Sequence, residues 1–169
     1  IYNGTTGELV TLDGREEAPA AFHPRQFCAN AECVTDPECD CSAGADVFTN
    51  RRTGGHPCGV PGVMAAMQRL LDDYGTISMA DAVQPAIRAA LEGCEMYEHL
   101  HTQIQVNAPR LSMFPASAEL FLDPVRPLRP KADIGELFFN PDAAKTFQEI
   151  AEAGSADDFY TGGMAQEIV

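Results

Sequence analysis

Basic residues are scarce in this 169-residue chain: 11 Lys and Arg stand against 25 Asp and Glu, a formal net charge of −14. A surface that acidic repels phosphate backbones and anionic lipid headgroups, which argues against nucleic acid as a partner. Long apolar runs are also missing. None approaches the roughly 20 residues that a membrane-spanning helix needs. No internal repeat is visible. Stop signals are lacking at the ends: Ile1-Tyr2-Asn3 reads as mid-strand, and Ala165-Gln166-Glu167-Ile168-Val169 as a helix still in progress, with no Gly, Asn or Pro to close it. The expectation is a piece of something longer. What is present suffices for a core: hydrophobic residues make up 45% of the chain. That content excludes global disorder and suits one ordinary domain or part of a larger one.

Three regions follow one another. Residues 1–21 hold two short β-favouring runs, Ile1-Tyr2-Asn3 and Glu8-Leu9-Val10-Thr11-Leu12, across the Gly-bounded Gly4-Thr5-Thr6-Gly7 turn. This predicts a hairpin. Asp13-Gly14 then breaks the strand, and Arg15 falls at a strand end. Residues 22–58 lack hydrophobic periodicity and carry Cys28, Cys33, Cys39, Cys41 and Cys58 with three prolines. A long structured loop is expected there.

Residues 59–169 show the helical period. Val63, Met64, Met67, Leu70 and Leu71 predict one face of a helix ending at Tyr74-Gly75. Ser78 is the expected N-cap of a second helix whose apolar face carries Met79, Val83, Ile87, Ala90 and Leu91, with Pro85 inside it and Gly93 closing it. A third helical pattern covers residues 95–112, with Met96, Leu100, Ile104 and Leu111. Residues 121–138 read as extended and Pro-rich. Asn140-Pro141 opens a further helix that Gly154 ends, and a last helix runs outward from Asp157.

Several segments, in order, resemble the gamma-glutamyltransferase (glutathione hydrolase) family. They are Leu12-Asp13-Gly14-Arg15-Glu16-Glu17-Ala18-Pro19; Gly59-Val60-Pro61-Gly62 with the helix that follows it; Gln84-Pro85-Ala86-Ile87 with Ala90 and Gly93; Asn140-Pro141 with Thr146, Ile150-Ala151-Glu152 and Gly154; and Phe159-Tyr160-Thr161-Gly162 with Ala165 and Ile168-Val169. A lone Gly-Val-Pro-Gly is weak; the whole set in sequence order is specific. The resemblance implies an α+β chain, part of the αββα fold of the N-terminal-nucleophile hydrolases. This chain would be an internal fragment of the large subunit, supplying mostly the helical portion plus an N-terminal β-hairpin.

The same resemblance implies an activity. A precursor cleaves itself into large and small subunits, and the new N-terminal Thr of the small subunit attacks a gamma-glutamyl amide with its own amine as base. An acyl-enzyme forms and passes the glutamyl group to water, an amino acid or a peptide. Glutathione is the usual donor, and no cofactor is required. The nucleophile lies outside this chain, so no catalytic residue is assigned within it and the chain alone is expected to be inactive. The location implied is extracellular, periplasmic or cell-surface.

Arg15 is the substrate-binding residue the resemblance implies, as the group that holds the donor's alpha-carboxylate. Its chemistry suits that role, because a guanidinium stays charged and offers a planar fork to a carboxylate. By residue type alone, Arg15 would pair with Glu16 or Glu17 as a surface ion pair. Glu16 and Glu17 are adjacent on a strand, so their carboxylates point to opposite faces and do not converge for acid–base work. Glu16 is read as the partner that orients Arg15, and Glu17 as solvated. Thr5 and Thr6 sit in a turn and are assigned no catalysis.

The Cys28, Cys33, Cys39 and Cys41 spacing leaves three readings open: disulfides, free thiols, or a metal flanked by His23 and His56. Disulfides fit the oxidising compartment that the family implies, and six cysteines allow fifteen full pairings. No metal site is assigned. The cysteine loop is longer than the plain family pattern. Cys94 is read as a small buried hydrophobe. Met64, Met67 and Met96 are read as core. His99 and His101, two apart on a helix, face different ways, and Asp72-Asp73 is a solvated helix end. Two alternatives compete with the transferase: a related beta-lactam acylase, and a non-catalytic, acidic, disulfide-stapled binding or structural module.

Overall fold

The structure, a computed structural model, describes residues 1–22, 53–55 and 57–168. The chain divides into two compact units, Ile1–Met67 and Gln68–Val169.

The first unit opens with the predicted hairpin. Tyr2 and Leu9 form an antiparallel bridge. Asn3 N–H donates to the Glu8 carbonyl at 2.9 Å, and Val10 N–H to that of Ile1 at 2.9 Å. The Asn3 side chain accepts the N–H groups of Thr5 and Thr6 at 3.0 and 3.2 Å, which tightens the turn from within. A second antiparallel bridge joins Glu17 to Val60. Immediately after it, α1 (Val63–Tyr74) begins, and its register sets Met64 as its buried residue.

In the second unit, α2 (Met79–Glu92) starts as its sequence predicts: the Ser78 hydroxyl accepts the Asp81 N–H. Pro85 lies inside α2 without ending it. The burial of Met79, Val83 and Ile87 accounts for this, because packing of an apolar face outweighs one missing ladder bond. After Gly93 come β1 (Cys94–Glu95), α3 (Glu98–Leu111), α4 (Pro115–Phe121), β2 (Leu137–Phe138) and α5 (Pro141–Ala153). β1 and β2 pair antiparallel, Cys94 opposite Phe138 and Glu95 opposite Leu137. Asn140 caps α5 by accepting the Ala143 N–H at 3.1 Å, and Gly154 closes it in the left-handed conformation at φ 69°. α2 and α5 form the most extensive helix pair. A separate cluster of Met96, Ile104, Ala108, Leu122 and Ala132 fills the space between α3 and α4, with Phe121 stacked on Phe138 at 5.8 Å between ring centroids.

Several expectations need correction. The third helix begins at Glu98 rather than 95, because Cys94 and Glu95 are drawn into β1. Residues 121–138 are not uniformly extended: α4 ends at Phe121, and a Leu122–Pro130 bridge and turns precede β2. α4 itself escaped the sequence reading, although Pro115 at its first turn is a start signal. The segment from Asp157 is two short helices, α6 (Asp157–Thr161) and α7 (Gly163–Ile168). They separate at Gly162, where the Asp158 carboxylate accepts the N–H groups of Gly163 and Met164 at 2.9 and 3.4 Å.

Met64 and Met96 are buried as expected, but Met67 is 47% exposed. Helical spacing identifies an apolar side; burial also needs a covering layer, which Met67 lacks among the described residues. Cys94 is exposed rather than buried, since β1 belongs to a sheet of only two strands and both of its residues face solvent. Cys58 and Cys94 are free thiols, so neither carries the disulfide expectation. Cys28, Cys33, Cys39 and Cys41 lie outside the described residues, as do His23 and His56.

Candidate substrate-binding segment

The segment from Asp13 to Glu17 is extended and built by backbone contacts. The Asp13 carboxylate accepts the Arg15 N–H at 2.9 Å, an Asx-type turn that fixes the approach of the chain to Arg15. Two residues on, Glu17 N–H donates to the Val60 carbonyl at 3.1 Å, and Val60 N–H donates back to Glu17 at 2.8 Å. Arg15 is therefore held at its own amide and again just beyond it, while its side chain projects outward. That side chain is 81% exposed.

Glu16 is an ionic partner of Arg15. Its Oε1 lies 3.4 Å from Arg15 Nε. This contact costs little desolvation and orients the guanidinium more than it stabilises the fold. A carboxylate bound end-on uses the two Nη nitrogens and leaves Nε for Glu16. Glu17 is exposed, as expected, and contributes its backbone to the bridge. Thr5 and Thr6 are exposed in the hairpin turn, and the Thr6 hydroxyl accepts the Glu8 N–H at 3.3 Å. That hydroxyl is committed to the turn, which agrees with a structural role.

In the sequence, the glycines beside this segment appear only as the Gly59-Val60-Pro61-Gly62 motif. In the structure they touch it: Gly62 lies against the carbonyls of Gly14 and Arg15, and Gly59 against Glu16. Sequence carried a hint, since closely spaced glycines often mark a place where two backbones approach. Which backbone they approach is a long-range fact that the spacing does not contain.

His101 Nε2 lies 3.8 Å from Asp133. Asp72 and Asp73 are exposed at the end of α1 and accept from Gln68 and Arg69 at 2.8 and 2.6 Å. Among the described residues, no three His, Cys, Asp or Glu side chains gather as a metal site. An open groove of about 500 Å³ in the second unit is lined by Glu119, Lys131, Leu137, Phe139 and Asp142. Lys131 there already donates to the Glu119 carbonyl at 2.8 Å.

Among the described residues, Asp123 is the carboxylate that titrates away from its ordinary value. It accepts the Arg126 backbone N–H at 2.9 Å, the Arg126 guanidinium at 2.6 and 2.8 Å, and the Val125 N–H at 2.8 Å. These bonds hold its carboxyl below the usual carboxylate value. They close the turn after α4.

Known proteins share this arrangement of strand, turn and helices over nearly its whole length. The chain is 32% identical to the glutathione hydrolase proenzyme of Bacillus subtilis over 168 residues, covering 99% of this chain and 26% of that protein. It thus spans about a quarter of the length of that relative. The gamma-glutamyltranspeptidase of Helicobacter pylori superposes with a TM-score of 0.80 at 27% identity, covering 99% of this chain and 43% of that one. A cephalosporin acylase from Bacillus halodurans is more distant, with a TM-score of 0.59 at 27% identity over 69% of this chain and 22% of its own. The family profile described as Gamma-glutamyltranspeptidase matches residues 1–169, so the chain, Arg15 segment and helices together, belongs to the gamma-glutamyltranspeptidase family.

Proposed function

We propose that this chain forms part of an enzyme that hydrolyses or transfers gamma-glutamyl groups, and that Arg15 binds the alpha-carboxylate of the donor. The observation that carries the proposal is the outward guanidinium of Arg15, anchored through its backbone on both sides and oriented by Glu16. The donor is glutathione or another gamma-glutamyl amide. Binding its alpha-carboxylate fixes one end of the glutamyl group, so the amide at the other end meets the nucleophile in a defined pose. That nucleophile is the N-terminal Thr of a small subunit cut from the same precursor. Its hydroxyl adds to the amide carbonyl, its own amine takes the proton, and the amine half of the donor leaves. Water or an amino acid or peptide acceptor then releases the glutamyl group from the ester. The enzyme's place is extracellular, periplasmic or at the cell surface, which rests on the family alone.

Arg15→Lys in the protein expressed from its complete coding sequence tests the role. Lysine keeps the charge but replaces the fork with a point charge. The loss of a charge-assisted pair costs about 1.5–3 kcal/mol, or roughly ten- to hundredfold in donor kcat/KM. The penalty should shrink for a donor whose alpha-carboxylate is amidated, while self-cleavage of the precursor stays intact. Equal penalties for free and amidated donors would leave Arg15 as a surface ion-pair partner only.

The cephalosporin acylase similarity favours a second reading, an acylase that opens the side-chain amide of a beta-lactam. The same assay separates the two readings. A preference for a beta-lactam amide over a gamma-glutamyl amide, with Arg15→Lys indifferent to alpha-amidation, would favour the acylase.

A further inference from the structure

We infer that the Gly59-Val60-Pro61-Gly62 turn is a positioning device for Arg15, and that Gly62 sets the location of the Arg15 main chain from which the guanidinium reaches the donor. The inference rests on the carboxylate-binding role proposed for Arg15 and extends it to residues that touch no substrate.

Three contacts made by the turn fall on consecutive parts of the Arg15 segment. A Cβ at Gly62 would collide with the Arg15 carbonyl oxygen and lie 2.9 Å from that of Gly14. Both are backbone atoms with no flexible end to yield, so any side chain at 62 moves the main chain of Arg15. Val60 is bridged to Glu17 by two backbone hydrogen bonds. A Cβ at Gly59 would lie 2.8 Å from Glu16 Cγ and 3.0 Å from both Glu16 Cβ and the Glu17 carbonyl oxygen. Because Glu16 Oε1 lies beside Arg15 Nε, Gly59 bears on the guanidinium through its ionic partner. The turn is anchored in its own right, since the Gly62 carbonyl accepts the Ala66 N–H at 3.0 Å as α1 begins. A Cβ at Gly14 would lie 2.7 Å from Ala66 Cβ, so the first turn of α1 also bounds the segment.

The consequence is a steric register. The position of Arg15 follows that of α1 through atoms in direct contact, and glycine at 62 permits the approach that defines it. A misplacement of the order of 1 Å at a substrate-positioning group costs roughly 100-fold in rate. Gly62→Ala, which forces the Arg15 carbonyl away from the added carbon, should lower donor kcat/KM about tenfold. Gly59→Ala meets Glu16 Cγ and Cβ and the Glu17 carbonyl less tightly than a Cβ at Gly62 meets the Arg15 carbonyl, and should cost less, about threefold, in the same sense.

The test uses the protein from its complete coding sequence, with a chromogenic gamma-glutamyl amide bearing a free or an amidated alpha-carboxylate. Gly62→Ala should lose activity on the free donor and change little on the amidated one, with precursor self-cleavage intact. In combination with Arg15→Lys, the loss on the free donor should fall short of the product of the single losses, because both act on one interaction. Gly4→Ala, at a glycine with nothing within 4 Å of the added carbon, serves as the control and should match wild type. Equal losses on both donors in Gly62→Ala, or no loss at all, would overturn the positioning role. If Arg15→Lys remained selective for the free donor in that case, the Arg15 assignment would stand without the brace. If Arg15→Lys were itself indifferent to amidation, both would fall together. Should Gly62→Ala fail to accumulate, Gly59→Ala decides by the same two-donor comparison.

Discussion

The two units of this chain are held together by different physics. Among the described residues of Gln68–Val169, twelve hydrophobic side chains and Pro130 are buried, from Met79 through Ile150 to Met164. In the described part of Ile1–Met67 the only buried apolar residue is Met64, and the segment that carries Arg15 is fixed by hydrogen bonds and by glycine contacts with neighbouring backbone. A packed core resists mutation gradually, because the loss scales with the volume removed. A backbone register tolerates most side-chain changes and fails abruptly where an added atom finds no room. The first arrangement suits a scaffold. The second suits a charged group that has to reach outward from a fixed point.

The largest expected effect lies in the core. Ile150 is 1% exposed on the face of α5, and Ile150→Ala should destabilise the helical unit by about 2–5 kcal/mol through lost transfer energy and a residual cavity. Denaturant unfolding followed by far-ultraviolet circular dichroism checks it. A loss below about 1 kcal/mol would mean the α2–α5 contact is not the scaffold described. Next is the Asn140 cap. Asn140→Ala leaves the Ala143 N–H without its partner and should cost about 1 kcal/mol, read as a lower melting temperature that Asn140→Ser largely restores.

A pH effect follows in size. The folded carboxyl of Asp123 titrates below its unfolded value, so its bonds to Arg126 and Val125 stabilise the fold above the ordinary carboxylate range. That contribution is lost as pH falls through the depressed folded value. Asp123→Asn should remove this part of the acid sensitivity, and the carboxyl titration followed by NMR should show the low midpoint directly. A midpoint at or above the ordinary value would break the assignment. The smallest effect belongs to the first unit. Leu9 is 73% exposed, and Leu9→Ala should alter stability by no more than about 0.5 kcal/mol. A loss as large as that at Ile150 would erase the contrast between the two units.

What the sequence disclosed follows the same division. Helix ends written in local chemistry were legible: Ser78 with Asp81, Asn140 with Pro141, and Gly154 each solve a hydrogen-bonding or conformational problem within three or four residues. The hairpin at Tyr2 and Leu9 was legible for the same reason, because its turn lies between its strands. β1 and β2 were not, since two-residue strands leave no period and their pairing joins Cys94 to Phe138 across α3 and α4. Met67 shows the limit of periodicity, which locates an apolar stripe and says nothing of what covers it. The break at Gly162 was hidden too: the Asp158 carboxylate accepts the Gly163 N–H at the start of α7, a role indistinguishable in sequence from ordinary helix-start acidity. At the candidate site, Arg15 and its pairing with Glu16 were legible from residue type and family resemblance. The support of Arg15 by Gly62 was not, because it depends on a backbone approach between residues far apart in sequence.

The β1–β2 pair has a consequence for how the second unit opens. Met96 N–H donates to the Glu136 carbonyl at 2.8 Å, and Gly135 N–H donates back to Met96 at 2.9 Å. These reciprocal bonds adjoin the ladder and fasten both ends of the segment that contains α3, α4 and the Met96–Ile104–Leu122 cluster. Neither amide can meet solvent by fraying at a chain end; both require this clasp to part. In deuterium exchange the two should therefore form one opening unit with the same protection. Ile104→Val, within the cluster, should accelerate both equally while leaving the amides of α5 at their original rates. Independent exchange of Met96 and Gly135 would show that the clasp opens piecemeal and that the cluster beneath it holds itself closed.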